Sequence, residues 1–146
     1  MKIEIDIDEK YADTKVVIQT PSLTPDVEKL VSLMRTVNSQ IAVKNEEETI
    51  LLDIAQILYI EAMERMSFVY TKDAVYQSEL KLYGFENLLT EQDFIRISKQ
   101  AIINLRKVKS LKTDINRKIR VTLLNDEQII VSRTYSDELR KRLGVK

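Results

Sequence analysis

The chain has 146 residues, 44% apolar and 32% charged, with neither cysteine nor histidine. That is enough for one domain with an appendage, and it excludes disulfides, thiolate nucleophiles, cysteine or histidine metal ligation and the commonest acid/base side chain. A formal net charge of zero hides a division: residues 1–93 hold 9 cationic and 18 acidic side chains, whereas residues 94–146 hold 14 and 5, so the last third is expected to form a basic surface of the kind that attracts polyanions.

Residues 2–8, KIEIDID, place Ile3, Ile5 and Ile7 opposite Glu4, Asp6 and Asp8, the period of a half-buried strand. The segment lacks the unbroken apolar core of a signal peptide, and no later window approaches the ~20 apolar residues of a membrane span. A soluble cytoplasmic protein is expected. A second strand is predicted at Lys15 to Thr20. Thr24 then suits a helix cap, Pro25 the first helical position, and Asp26 and Glu28 the positive helix end. Val27, Leu30, Val31, Met34 and Val37 recur at helical spacing. Residues 1–40 therefore read as a β-β-α arm, with a boundary near Asn38 to Gln40 and a second domain over residues 41–146.

From Ile41 the pattern changes to short strands: IAVKN and TILLD about a charged tip at Asn45 to Glu48, ILYIE at Ile57 to Glu61, SFVYT at Ser67 to Thr71, and Ala74 to Ser78 after a Lys72-Asp73 turn. Leu80 to Leu89 reads as a short helix with Leu82, Phe85, Leu88 and Leu89 inward. Phe94 to Lys112 contains six cations, Arg96, Lys99, Arg106, Lys107, Lys109 and Lys112, among apolar anchors and no acid. Strands follow at Val108 to Ile115, Lys118 to Leu124 and Gln128 to Ser132, the last two joined by a turn at Asn125 to Glu127. Tyr135 to Leu143 is predicted as a helix with Leu139 and Leu143 inward and Arg140, Lys141 and Arg142 outward.

Catalysis finds little support in these residues. Glu46, Glu47 and Glu48 sit in a predicted hairpin tip, where solvated charge is ordinary. Glu61 fits a structural tie better than a hydrolase carboxylate, and Ser98 and Ser132 have no histidine to activate them. With Gly84 and Gly144 the only glycines, no phosphate-cradling loop exists. No metal or cofactor is expected. Nucleic acid is better served: Lys99, Gln100 and Arg133 are of the types that reach base edges, Ser98 and Ser132 beside them can bond phosphate, and Arg96, Arg106, Lys107 and Lys118 supply phosphate-binding charge. These cations lie between strands and not along one recognition helix, so no helix-turn-helix is expected. The alternative is a protein-interaction module whose basic C-terminal face docks on an acidic partner, such as the arm of a second copy.

The runs ILYIEAMERMSFVYT, LLTEQDFIRISKQAIINLRKVKSL and VTLLNDEQIIVSRTYSDELRKRL, in that order, resemble the LytTR-type DNA-binding domain of bacterial transcription regulators. The likeness covers about residues 41–145 and is most specific at F-x-R-I-S-K-x-x-I-I-N-L (Phe94 to Leu105) and V-S-R-x-Y (Val131 to Tyr135). It implies a mainly β protein, with an elongated core of short antiparallel sheets and small helices, whose loops enter successive major grooves of double-stranded DNA. The base-reading positions it implies are Arg65, Met66 and Ser67; Ser98, Lys99 and Gln100; and Ser132, Arg133 and Thr134. Many members carry a second arginine where Thr134 stands, and some a histidine or lysine near Ser67. The family commonly follows a phosphorylatable receiver domain, for which an arm of about forty residues is too short. Members with such an arm are typically freestanding regulators. Direct-repeat sites are usual for the family, which implies a homodimer or two adjacent monomers, and some members are held in check by a membrane protein. The arm is therefore expected to serve dimerisation or that inhibitor contact, with a plain structural extension of the core as the alternative.

Overall fold

A computed structural model describes residues 1–37, 40–89 and 92–145. The chain divides into two compact units, residues 1–36 and 37–146. In the first, α1 (Pro25–Val37) begins as its sequence demands: Thr24 Oγ1 accepts the Val27 N–H at 3.4 Å, and Asp26 and Glu28 occupy the first turn. The two strands expected before it are absent, and residues 2–8 and 15–20 form no sheet. Alternation supplies one face of a strand but not a partner, and two strands alone are marginal in water. Ile3, Ile5 and Ile7 are accordingly 77%, 80% and 91% exposed. The arm is thus helical only, and residues 38 and 39 of the expected boundary lie outside the described residues.

The second unit is mainly β and wholly antiparallel, as expected. β1 (Gln40–Asn45), β2 (Glu48–Asp53), β3 (Ile57–Met63), β4 (Met66–Thr71), β5 (Val75–Ser78), β6 (Phe94–Arg96) and β7 (Ala101–Asn104) form one sheet in the order β2-β1-β5-β4-β3-β7-β6. β8 (Val108–Thr113), β9 (Ile119–Leu123) and β10 (Gln128–Val131) form a second in the order β10-β9-β8. α2 (Leu82–Leu88) lies between β5 and β6, and α3 (Arg133–Leu143) follows β10. No helix among the described residues is long and apolar enough to cross a membrane.

Strand periodicity sorts the larger sheet into two faces. Ile57, Ile60 and Ile102 pack with Leu82, Phe85 and Leu89 around α2, while Leu58, Tyr59, Ile95 and Ile103 pack with Ile119, Val121, Leu123, Val131 and Leu139 of the second sheet and α3. A register shift between Ile57 and Tyr59 lets the adjacent Leu58 and Tyr59 join the same core. Leu88, expected inward, is 55% exposed, because a face set by Leu82 and Phe85 continues at Leu89. Gly84 fits where Leu80 crosses the helix: an added Cβ would stand 2.6 Å from Leu80 Cδ1.

Tyr59 ties the sheets together. Its ring stacks on Tyr70 with centroids 4.3 Å apart, and its hydroxyl donates to Glu127 in the β9–β10 turn. Burial first, then the bond to Glu127, raises the Tyr59 phenol far above its ordinary range, and burial also raises Tyr70. Protons held more tightly in the folded chain stabilise it below the unfolded phenol value of about 10, and that contribution is lost as pH rises beyond it. Stability should therefore fall above about pH 10, and fall less steeply in Tyr59→Phe. Urea midpoints across that range measure this; an unchanged slope in Tyr59→Phe would remove Tyr59 from the explanation.

Candidate nucleic-acid interface

Three segments far apart in sequence meet at one end of the two sheets. The turn Ser98–Gln100 joins β6 to β7. On one side the Ala62 N–H of β3 donates to the Gln100 carbonyl at 2.7 Å, placing the turn beside the β3–β4 hairpin that carries Arg65. On the other, the Ser132 N–H donates to the Ile97 carbonyl at 2.9 Å, placing it beside the start of α3. Register brings in a fourth segment: Thr113, Ile119 and Val131 are aligned across β8, β9 and β10, so the β8–β9 connection with Arg117 and Lys118 lies at the same end as Ser132.

The Ser98–Gln100 turn is held from within. The Ile97 N–H bonds the Ala101 carbonyl at 3.0 Å, and the Gln100 N–H bonds Ser98 Oγ at 3.1 Å. Arg96 closes it from below: Nε donates to the Ser98 carbonyl and Nη2 to the Lys99 carbonyl, each at 2.8 Å, while Nη1 pairs with Glu86 of α2. Arg96 is thus engaged in building the turn, whereas Lys99 and Gln100 at its tip are exposed.

Ser132 is the N-cap residue of α3, which starts two residues earlier than periodicity suggests, so Arg133 and Thr134 are first-turn helical residues. Both are exposed. The Ser132 hydroxyl makes no capping bond, and its carbonyl accepts from the Ser136 hydroxyl at 2.9 Å. The Tyr135 N–H also reaches the Ser132 carbonyl at 3.0 Å, and the helix places its positive pole beside Arg133.

The remaining expected site residues divide between this end and others. Arg65 is exposed in a tight turn whose preceding residue, Glu64, has φ 59°, and Met66 is half-buried. Ser67 is 2% exposed, and its hydroxyl donates to the Leu80 carbonyl at 2.7 Å, which withdraws it from any ligand. The connection from β7 to β8 carries Arg106 and Lys107 to the opposite end of the sheets, where the Leu124 N–H reaches the Lys107 carbonyl at 2.9 Å. At that end cations are matched by acids: Arg106 pairs with Asp93 at 2.6 Å and Lys109 with Asp126 at 2.8 Å. At the turn end the contrast is plain. Lys99, Arg117, Lys118 and Arg133 are exposed and form no ion pair among the described residues.

Arg117, in the left-handed region at φ 64°, was not singled out from the sequence, although the run RKIR at 117–120 was visible there. Glu86 was missed for a different reason: its partner lies ten positions later, and no local pattern joins them. Among the described residues no three acids cluster as metal ligands.

Residues 47–144 match the LytTr DNA-binding domain. The chain belongs to that family. It is a family of DNA-binding domains. A structure of the LytTr DNA-binding domain of a Bacillus cereus protein, described as a methyl-accepting/DNA response regulator, is similar with a TM-score of 0.68 at 26% identity, over 73% of this chain and 97% of that one. An uncharacterised HTH-type transcriptional regulator of Staphylococcus aureus strain MSSA476 is 22% identical over 99% of both chains. The transcriptional regulatory protein YpdB of Escherichia coli is 29% identical over 84% of this chain, which spans 49% of that protein's length. The helix-turn-helix in the staphylococcal name has no counterpart among the described residues of this LytTr domain, where α2 and α3 are separated by five strands.

Proposed function

We propose that this LytTr protein is a sequence-specific transcription regulator that reads double-stranded DNA with the turn end of its sheets, the segments entering successive major grooves. The observation that carries this reading is the pair of backbone bonds, Ala62 to Gln100 and Ser132 to Ile97, which assembles three presenting segments beside cations that form no ion pair among the described residues. Arg65, Met66, Lys99, Gln100, Arg133 and Thr134 are the proposed base readers. Ser98, Ser132, Lys118 and the added Arg117 are the proposed phosphate contacts, aided by the positive end of α3. Ser67, Arg106 and Lys107 are left outside this set by their burial or position. Promoter direct repeats are the proposed targets, in the cytoplasm. For the arm we propose contact with a second copy or with a membrane-protein inhibitor, supported by the exposed row of Ile3, Ile5 and Ile7.

Selection of bound duplexes from a random pool, followed by mobility shifts across a salt series, tests the reading. Expected is preference for one repeated motif together with a steep loss of affinity on added salt. Lys118→Ala should weaken all duplexes by the same factor and lower the salt slope by about 0.9. A protein that binds every duplex alike, or ignores salt, refutes the reading. Salt-labile oligomers without DNA preference would instead favour docking of the basic face on an acidic partner.

A further inference from the structure

The Ser98–Gln100 turn depends on a carboxylate outside the DNA-facing segments. Glu86 belongs to α2, on the face of the sheet away from β8–β10, yet it pairs with the guanidinium whose other two donors hold the Ser98 and Lys99 carbonyls. Strand alternation puts Arg96 on the α2 side, with Phe94, while Ile95 and Ile97 face the second sheet. The Arg96 side chain is only 23% exposed. A guanidinium so covered needs a counter-charge to stay beneath two neutral carbonyls. Without one it gains by swinging toward solvent or toward a bound phosphate.

We infer that Glu86 is a specificity-determining positioning residue: by fixing Arg96 under the turn, it sets the angle at which Lys99 and Gln100 meet base edges without touching DNA itself. This rests on the DNA-reading function proposed above and goes beyond it in the sign of one effect. Simple electrostatics says that removing an acid strengthens binding to a polyanion. The Glu86–Arg96 clamp demands the reverse for the preferred sequence, because a turn that is no longer preorganised must be ordered at the moment of binding.

The test uses the full chain, a duplex selected by the wild type and a scrambled duplex of the same composition. Glu86→Gln should bind the selected duplex roughly tenfold more weakly, bind the scrambled duplex equally or more tightly, and show faster hydrogen exchange at the Gln100 amide in the free protein. Arg96→Lys, which keeps the charge but cannot hold both carbonyls, should reproduce all three changes. Glu86→Asp should recover part of the preference. Equal or tighter binding of the selected duplex by Glu86→Gln overturns the inference, as does an equal loss on both duplexes or unchanged Gln100 exchange. A wild type with no preference between duplexes refutes the base-reading function itself, a result distinct from these.

Discussion

Replacing Leu139 with alanine is expected to lower the unfolding free energy by about 2–5 kcal/mol and to weaken DNA binding together with it. Leu139 is fully buried in the core shared by the second sheet and the inner face of β3, β6 and β7, and it is the buried apolar anchor of α3. Deleting the Cγ methine and two Cδ methyl groups there removes their transfer energy and leaves a space that two packed sheets cannot readily collapse around. α3 also carries Arg133 and Thr134 in its first turn. A helix loosened at its centre no longer holds that turn against Ile97, so affinity should fall even where the mutant remains folded. Urea unfolding followed by circular dichroism measures the first effect, and mobility shifts well below the mutant's midpoint measure the second. Leu124→Ala is the control: that side chain is 56% exposed, and its loss should stay within about 0.5 kcal/mol. A cost as small for Leu139 would mean that α3 is not anchored by the core described above.

Lys99→Ala and Arg133→Ala should each cost about 1–3 kcal/mol of affinity for the preferred duplex, roughly 5- to 150-fold. Both should relax discrimination at particular base pairs, unlike Lys118→Ala, whose effect should be uniform. Their segments are joined through the Ser132 to Ile97 bond, so the double substitution is expected to cost less than the sum of the two. Competition binding against every single-base variant of the selected duplex resolves the pattern. Uniform losses across all variants would reduce Lys99 and Arg133 to phosphate contacts.

Much of the larger unit was legible in advance because the signals that specify its elements are local. ILYIE and SFVYT alternate or run apolar over a few residues, and a strand pattern needs no more than that. The motifs at Phe94 to Leu105 and Val131 to Tyr135 likewise carried the family resemblance within a dozen residues each. Local signals also misled. KIEIDID has as clean an alternation as any segment here, yet it forms no strand, because pairing depends on a neighbour and not on the pattern. Arg133 read as lying between a strand ending at Ser132 and a helix starting at Tyr135, whereas the helix begins at Arg133 itself.

The cations show where local reading stops. From the sequence Arg96, Arg106 and Lys118 are equivalent phosphate-binding cations and Lys99 a base reader; in the fold, Arg96 supports a turn, Arg106 answers Asp93, and Lys99 and Lys118 are exposed and form no ion pair among the described residues. Composition, periodicity and short motifs were enough by themselves to determine a mainly β chain with cationic loops near its C-terminus and its membership of a DNA-binding family. Only the tertiary structure decided which cations are available, that four segments share one end, and that Glu86 lies behind the Ser98–Gln100 turn. A charge or hydrogen bond is committed by whatever partner the fold brings within about 3 Å, and the acids that answer Arg96 and Arg106 come from ten and thirteen positions away.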